Sequence, residues 1–273
     1  MPVPDIAELA EILRDAAKAE ILPRFRRLEP ETVRTKSNPA DLVTEADTQA
    51  EWFIKREIER RWPGTLVVGE ESVAADPALL DRLAGAEVAI TVDPVDGTAN
   101  FAAGLPLYAV MASLVIGGEV AAGIIYDPMG DDWVLAERGS GAWLRRPDGE
   151  AVRLRVAAPK ILSEMIGHVS LTFLPPETKP LVFANLAKIR VPAHYRVAGH
   201  DYRTFASGHC DFVMFNKLLP WDHLPGTLIS AEAGAHVAKF DGSPYRVGET
   251  SGGLLLASDK DSWDLVRREI FTV

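Results

Sequence analysis

Acidic residues in this chain recur at the points where apolar runs end. Residues 66–68 lead into Gly69-Glu70-Glu71-Ser72, residues 88–92 lead into Asp93-Pro94-Val95-Asp96-Gly97, and Asp222 opens a helical pattern over 221–233. Strand ends converge at one edge of a sheet, so carboxylates placed there face a common cavity. Pro94 fixes its own φ and pushes Asp93 toward an extended conformation, while Gly97 permits a tight reversal. Such a turn brings Asp93 and Asp96 onto one side of the chain.

Clustered carboxylates repel one another unless they are protonated or share a cation. The chain has one cysteine, Cys210, and no paired histidines near these acids, so the available donors are hard oxygens. Those suit Mg²⁺, Mn²⁺ or Ca²⁺ better than Zn²⁺ or copper, and Mg²⁺ is the usual choice where a phosphate completes the coordination. The same loop offers an anion contact, because Gly97-Thr98-Ala99-Asn100 begins a helical turn with outward N–H groups. Each acid taken singly also has a structural reading. Asp-Pro-x-Asp-Gly is an ordinary turn sequence, Asp222 can cap a helix, Asp47 can complement a helix dipole, and Glu70 and Glu71 can be solvated. Their joint placement is what points to a site.

The periodicities predict a helix from about Ile6 to Ala17 and a second from Thr44 to the stop at Trp62-Pro63-Gly64. Apolar runs over 108–116, 120–126 and 132–137, separated by glycine-containing turns, predict an antiparallel meander. The turn Arg146-Pro147-Asp148-Gly149 is a candidate boundary, giving an N-terminal half over 1–147 with most of the acids and a C-terminal half over 148–273 with Asp222. Strands are expected at 165–169, 212–215 and 254–257, and helices at 179–188, 221–233 and 262–270. Helices mixed with a meandering sheet imply a layered α/β or α+β fold.

The formal charge of −10 repels phosphate backbones, so nucleic acid is not expected as a partner. It also repels a phosphorylated metabolite, so a site for one needs local positive charge, which metal ions can supply. The most apolar stretch, 105–116, is too short to span a bilayer, and residues 1–20 do not read as a signal peptide. One cysteine excludes an intrachain disulfide. A cytoplasmic protein is expected.

Four blocks together resemble the inositol monophosphatase family. Asp93-Pro94-Val95-Asp96-Gly97-Thr98-Ala99-Asn100-Phe101 is similar to its signature, and Gly69-Glu70-Glu71-Ser72 to its upstream metal motif. Trp221-Asp222 with Gly226, Glu232, Ala233 and Gly234 is similar to its C-terminal signature, and Lys36 to Thr44 with Asp47 to its N-terminal loop. The blocks keep the family's order and spacing and cover most of the chain. The resemblance implies an αβαβα sandwich, a homodimer, Mg²⁺ activation (two or three ions, Mn²⁺ substituting) and lithium sensitivity. By motif, Glu70, Asp93 and the Val95 carbonyl would hold one ion and Asp93, Asp96 and Asp222 a second. Glu70 with waters would hold a third. Asp47 and Thr98 would orient and help deprotonate the attacking water, the Gly97 and Thr98 amides would bind phosphate, Lys36 would lie on a loop near the metals, and Asp41 would anchor that loop.

Three departures bear on the substrate. Ala99 stands where a hydroxyl residue is common, and Leu224-Pro225 replaces small residues, with Pro225 expected in the first helical turn. Phe215 occupies the position, seven before Asp222, where members acting on inositol phosphates carry a hydroxyl-binding carboxylate. A phenylalanine cannot accept a hydroxyl, so discrimination for polyols is weakened. Lys217 either meets a second anionic group or is a solvated surface residue. Gly199, His200 and Asp201 fall where the family contacts substrate, and His200-Asp201 either binds a ligand or starts a helix. The default substrate is myo-inositol monophosphate, with histidinol phosphate, fructose 1,6-bisphosphate and 3′-phosphoadenosine 5′-phosphate as alternatives. A catalytically idle regulatory member, or a structural Ca²⁺ module, are readings of other classes.

Overall fold

The structure, a computed structural model, describes residues 3–28, 34–35 and 42–272. Asp5 starts α1 (Ile6–Ala16) by accepting the Glu8 N–H at 2.9 Å, and Leu9, Ile12, Leu13 and Ala16 form its buried face. A π-helical turn, Ala17–Ile21, extends it. The short strands β1 (Arg34–Thr35) and β2 (Leu42–Val43) pair antiparallel ahead of α2 (Glu45–Arg61), which ends before Pro63 and Gly64 as its sequence requires.

A seven-stranded sheet follows. Its strand β3 (Leu66–Gly69) runs into α3 (Glu70–Ala75) and α4 (Ala78–Leu83), and β4 (Val88–Asp96) runs into α5 (Thr98–Ala102). The meander is β5 (Ala109–Ile116), β6 (Glu119–Asp127), β7 (Asp132–Glu137), β8 (Ala142–Arg145) and β9 (Val152–Arg153). The strands lie in sequence order, parallel only between β3 and β4. The Arg146–Gly149 turn joins β8 to β9, so this sheet extends past residue 147 to Arg153.

The second sheet is built from β10 (Ile166–Val169), α6 (Lys179–Leu186), β11 (Val191–Ala193), α7 (Ala198–Ala206), β12 (Phe212–Phe215), α8 (Pro220–Glu232), β13 (His236–Lys239), β14 (Leu254–Ala257) and α9 (Lys260–Glu269). Its order is β11-β10-β12-β14-β13. The strands β11 and β13 lack a strand signal of their own: Pro192 interrupts one, and the other has a single fully buried residue, Ala238.

Strand alternation sorts the apolar residues into layers. Val110, Ala112 and Leu114 of β5 pack on α1 and α2, while Ala109 and Met111 face α7 and α8. Val213 and Phe215 of β12 meet the same central helices from the other side, and Phe212 and Met214 pack outward on α6 and α9. The result is the expected αβαβα sandwich. Pro225 differs from expectation. Because α8 starts at Pro220, Pro225 lies inside the helix, where its missing N–H leaves the Trp221 carbonyl without its helical donor.

Candidate metal centre and active site

Three segments place the acids. The parallel pairing of β3 with β4 sets Gly69 beside Val92, so the next residues, Glu70 and Asp93, emerge side by side. The ladder between β4 and β5 breaks between Asp93 and Asp96, and the Asp93 carboxylate accepts the Val95 N–H at 3.0 Å. That irregularity turns two nearby acids toward one cavity, as bulges commonly re-aim side chains. Asp222 arrives from the first turn of α8. Glu70, Asp93 and Asp222 each offer an oxygen, all within 4.8 Å of one another.

The electrostatics of this group are unfavourable without a cation. Burial and the charges of Glu70, Asp222 and Asp96 raise the Asp93 pKa well above the usual carboxylate range. Burial and Glu70 raise Asp222 likewise. Asp96 is pushed up to about 7, chiefly by burial, against the lowering effect of the Gly199 and Ala198 N–H groups. Converging hard-oxygen donors with mutually raised pKa values fit a divalent cation such as Mg²⁺ or Mn²⁺.

Asp47 sits at the start of α2. It accepts the Thr44 N–H at 2.8 Å and the Thr44 hydroxyl at 2.6 Å, completing a capping box. Its other oxygen lies 3.0 Å from Thr98 Oγ1, which is also 3.0 Å from the Val95 carbonyl. One hydroxyl proton can serve only one acceptor at a time, so Thr98 has two alternative proton recipients. Burial pushes the Asp47 pKa up to about 6. Gly97 makes this arrangement possible: its φ of 89° lies in the left-handed region, and a Cβ there would stand 2.5 Å from Val197 Cγ2. The N–H groups of Thr98 and Ala99, in the first turn of α5, have no intrahelical acceptor and stand available to an anion.

Glu70, Asp93, Asp222, Gly97, Thr98 and Ala99 line a cavity of about 170 Å³ together with Ser170, Phe173, His194, Arg196, Phe215 and Lys217, while Asp47 lies behind Thr98. Asp96 lines it too, although it lies outside the trio of acids. Its oxygens accept the N–H groups of Ala198 at 3.1 Å and Gly199 at 2.5 Å, which ties the β4 turn to the start of α7.

Two residues expected to contact substrate do otherwise. Asp201 is 1% exposed; His168 Nδ1 lies 2.8 Å from its Oδ1, and His194 Nδ1 lies 3.3 Å from its Oδ2. Burial alone would raise its pKa, but His168 and His194 outweigh that and lower it. The His200 Nε2 lies 3.1 Å from the Tyr108 carbonyl, and burial lowers its pKa. Both belong to α7 and are buried there. Gly199 likewise serves the site through Asp96 rather than by touching the cavity. Lys36 and Asp41 lie outside the described residues.

One neighbour of the metal ligands escaped the sequence reading. The Glu51 carboxylate, 3% exposed, accepts the N–H groups of Glu71 at 2.7 Å and Ser72 at 2.9 Å, and the Ser72 hydroxyl as well. A Cβ on Gly69 would collide with that carboxylate. The available signal was a glutamate on the apolar face of α2, between Ala50 and Ile54 and four residues after Asp47.

Comparison with known proteins identifies the family and the fold. The sequence model of the inositol monophosphatase family matches residues 5–268. The inositol-1-monophosphatase of Bacillus subtilis is 29% identical over 218 residues, covering 78% of each chain. The fructose-1,6-bisphosphatase/inositol-1-monophosphatase of Thermotoga maritima is 31% identical, covering 78% of this chain and 77% of that one. Among solved structures, a Thermotoga maritima IMPase superimposes with a TM-score of 0.81 at 24% identity, covering 98% of this chain and 96% of that one, and shows the shared fold. The chain thus belongs to the inositol monophosphatase family, whose members hydrolyse phosphate monoesters.

Proposed function

We propose that this protein is a Mg²⁺-dependent phosphomonoesterase acting on a small phosphorylated metabolite, with myo-inositol monophosphate as the default by family. The observation that carries the reading is the convergence of Glu70, Asp93 and Asp222 within 4.8 Å, beside the Asp47–Thr98 pair. Glu70, Asp93, Asp222, Asp96 and the Val95 carbonyl are the groups that would hold the ions. Bound there, divalent cations would lower the pKa of a water and offset charge on the phosphoryl group. The Thr98 hydroxyl orients the attacking water by accepting a hydrogen bond from it; as the water attacks, its proton moves to Thr98 Oγ1 and the original hydroxyl proton moves to Asp47. The Asp47 carboxylate is the ionisable one of the two acceptors within reach of that hydroxyl, and burial that raises its pKa to about 6 favours its taking a proton. The N–H groups at the start of α5 hold the phosphate oxygens.

The family resemblance also supports a homodimer and lithium inhibition. No helix among the described residues is long and apolar enough to cross a membrane. The test is phosphate release from a panel of phosphomonoesters with Mg²⁺, with chelator, and with Asp93→Asn. Release that needs the metal and falls about 100-fold or more in the variant is expected. Activity of Asp93→Asn within about tenfold of the unaltered protein would overturn the metal assignment.

A further inference from the structure

We propose that the substrate carries, besides the phosphate to be cleaved, a second anionic group that is bound by Arg196 and Lys217. This rests on the phosphatase reading and names the substrate class for the same cavity.

Cations are scarce in a chain with 39 acidic and 29 basic residues. Many described ones are committed to carboxylates, as in Arg14 with Asp131, Arg203 with Asp132 and Lys239 with Glu249. Arg196 and Lys217 form no ion pair among the described residues, yet both line the cavity that holds the acids. Unpaired cations at the rim of an acidic pocket await a ligand anion or serve only solvation.

Their placement is constrained. Arg196 has a φ of 62°, in the left-handed region, which costs a non-glycine residue about 1 kcal/mol and persists only where surroundings enforce it. The enforcement is visible on both sides. The preceding Tyr195 carbonyl accepts the Asn100 side-chain amide at 2.8 Å, and the following Val197 packs over Gly97. The Lys217 ammonium stands 5.1 Å from the centre of the Phe173 ring, a cation–π contact that orients it without neutralising it.

Beside Lys217 the cavity is lined by the rings of Phe173, Phe215 and His223. Phe215, 4% exposed, packs on Tyr202 at 5.0 Å and on His223 at 4.6 Å between ring centres. His223 is itself fixed, its Nε2–H donating to the Lys217 carbonyl at 2.8 Å while Nδ1 accepts from the Tyr202 hydroxyl at 3.0 Å. A polyol laid along these rings meets no carboxylate at Phe215, whereas a ligand with charge at both ends is matched at both.

Matched pairs of esters test this: 2-phosphoglycerate against glycerol 2-phosphate, and fructose 1,6-bisphosphate against fructose 1-phosphate. At low ionic strength the doubly anionic member of each pair is expected to have a kcat/KM about tenfold or more higher. Arg196→Gln and Lys217→Met are each expected to lower that ratio about threefold or more. A partly misfolded variant lowers both members equally and leaves the ratio intact. A ratio near one in the unaltered protein overturns the proposal while leaving the phosphatase reading standing. So does a ratio that survives both substitutions, since the two cations would then serve only the scissile phosphate. Phosphate release from neither member, with Mg²⁺ present, overturns both readings.

Discussion

The Glu51 carboxylate accepts the Glu71 N–H at 2.7 Å, and in doing so fixes the turn from which Glu70 reaches the other acids. The contact joins α2 to the end of β3, and Lys55 reinforces it by donating to Ser72 Oγ at 2.7 Å. Glu51→Gln keeps the shape but turns one acceptor into a donor that faces a backbone N–H or the Ser72 hydroxyl. The expected result is a rise of about threefold or more in the Mg²⁺ concentration needed for half-maximal activity, with a smaller change in kcat at saturating metal. A loss of thermal stability alone, with the Mg²⁺ dependence unmoved, would reduce Glu51 to a packing role.

The Thr98 hydroxyl and Asp47 come from segments 51 residues apart and meet at 3.0 Å. Thr98→Val keeps the volume and removes the hydroxyl, so kcat is expected to fall about 100-fold with KM changing less. Asp47→Asn is expected to lose as much activity and also to weaken the cap of α2 by about 1 kcal/mol. Steady-state phosphate release and urea unfolding separate the two effects. A Thr98→Val protein that retains most of its kcat would remove Thr98 from the proton path.

Asp131 contributes a pH dependence of stability in the acid range. Arg14 donates to both its oxygens, at 2.7 and 2.8 Å, and with Tyr126 and Lys18 holds its carboxyl well below the usual carboxylate range. A depressed folded-state pKa contributes stability that is present above the unfolded value of about 3.9 and is lost as the pH falls toward the folded one. Asp131 is 39% exposed, so solvent screening limits the contribution to about 1 kcal/mol. Asp131→Asn should therefore unfold at lower urea than the unaltered protein at neutral pH, with the gap narrowing below about pH 4. An equal gap at both pH values would contradict the assignment.

Much of this was legible in the sequence, for a physical reason. The acids sit where apolar runs end, and runs such as 88–96 are buried on both faces, so their hydrophobic signal is continuous and their ends are sharp. A layered α/β or α+β fold follows from the same runs, while the αβαβα order came from the resemblance to the family. What was not legible depends on contacts distant in the chain. Asp201 stayed open between a ligand residue and a helix start because nothing local marks His168 and His194 as its neighbours. Glu51 looked like any helix glutamate, since its acceptors are backbone N–H groups 20 and 21 residues on. Pro225 looked tolerable because Asp222 was read as opening the helix, which would put Pro225 in the first turn, whereas α8 begins at Pro220. Long-range partners of single polar groups leave no periodicity to read.

Gly97 joins the fold to the chemistry most directly. It is the only residue between Asp96, held by the amides of α7, and Thr98, held by Asp47. Replacing it with alanine introduces two penalties at once: a left-handed backbone that alanine resists by about 1 kcal/mol, and a methyl 2.5 Å from Val197 Cγ2. Val197 is 1% exposed and has no room to retreat, so the α5 turn must move instead. A shift of that turn carries the Thr98 hydroxyl away from Asp47 and the first-turn N–H groups away from the phosphate. Gly97→Ala is therefore expected to lose about 100-fold in kcat while costing about 2 kcal/mol of stability. Pairing it with Val197→Ala removes the clash but not the backbone cost. That double variant should recover part of the activity, and failure to recover any would show that the left-handed conformation alone sets the position of Thr98.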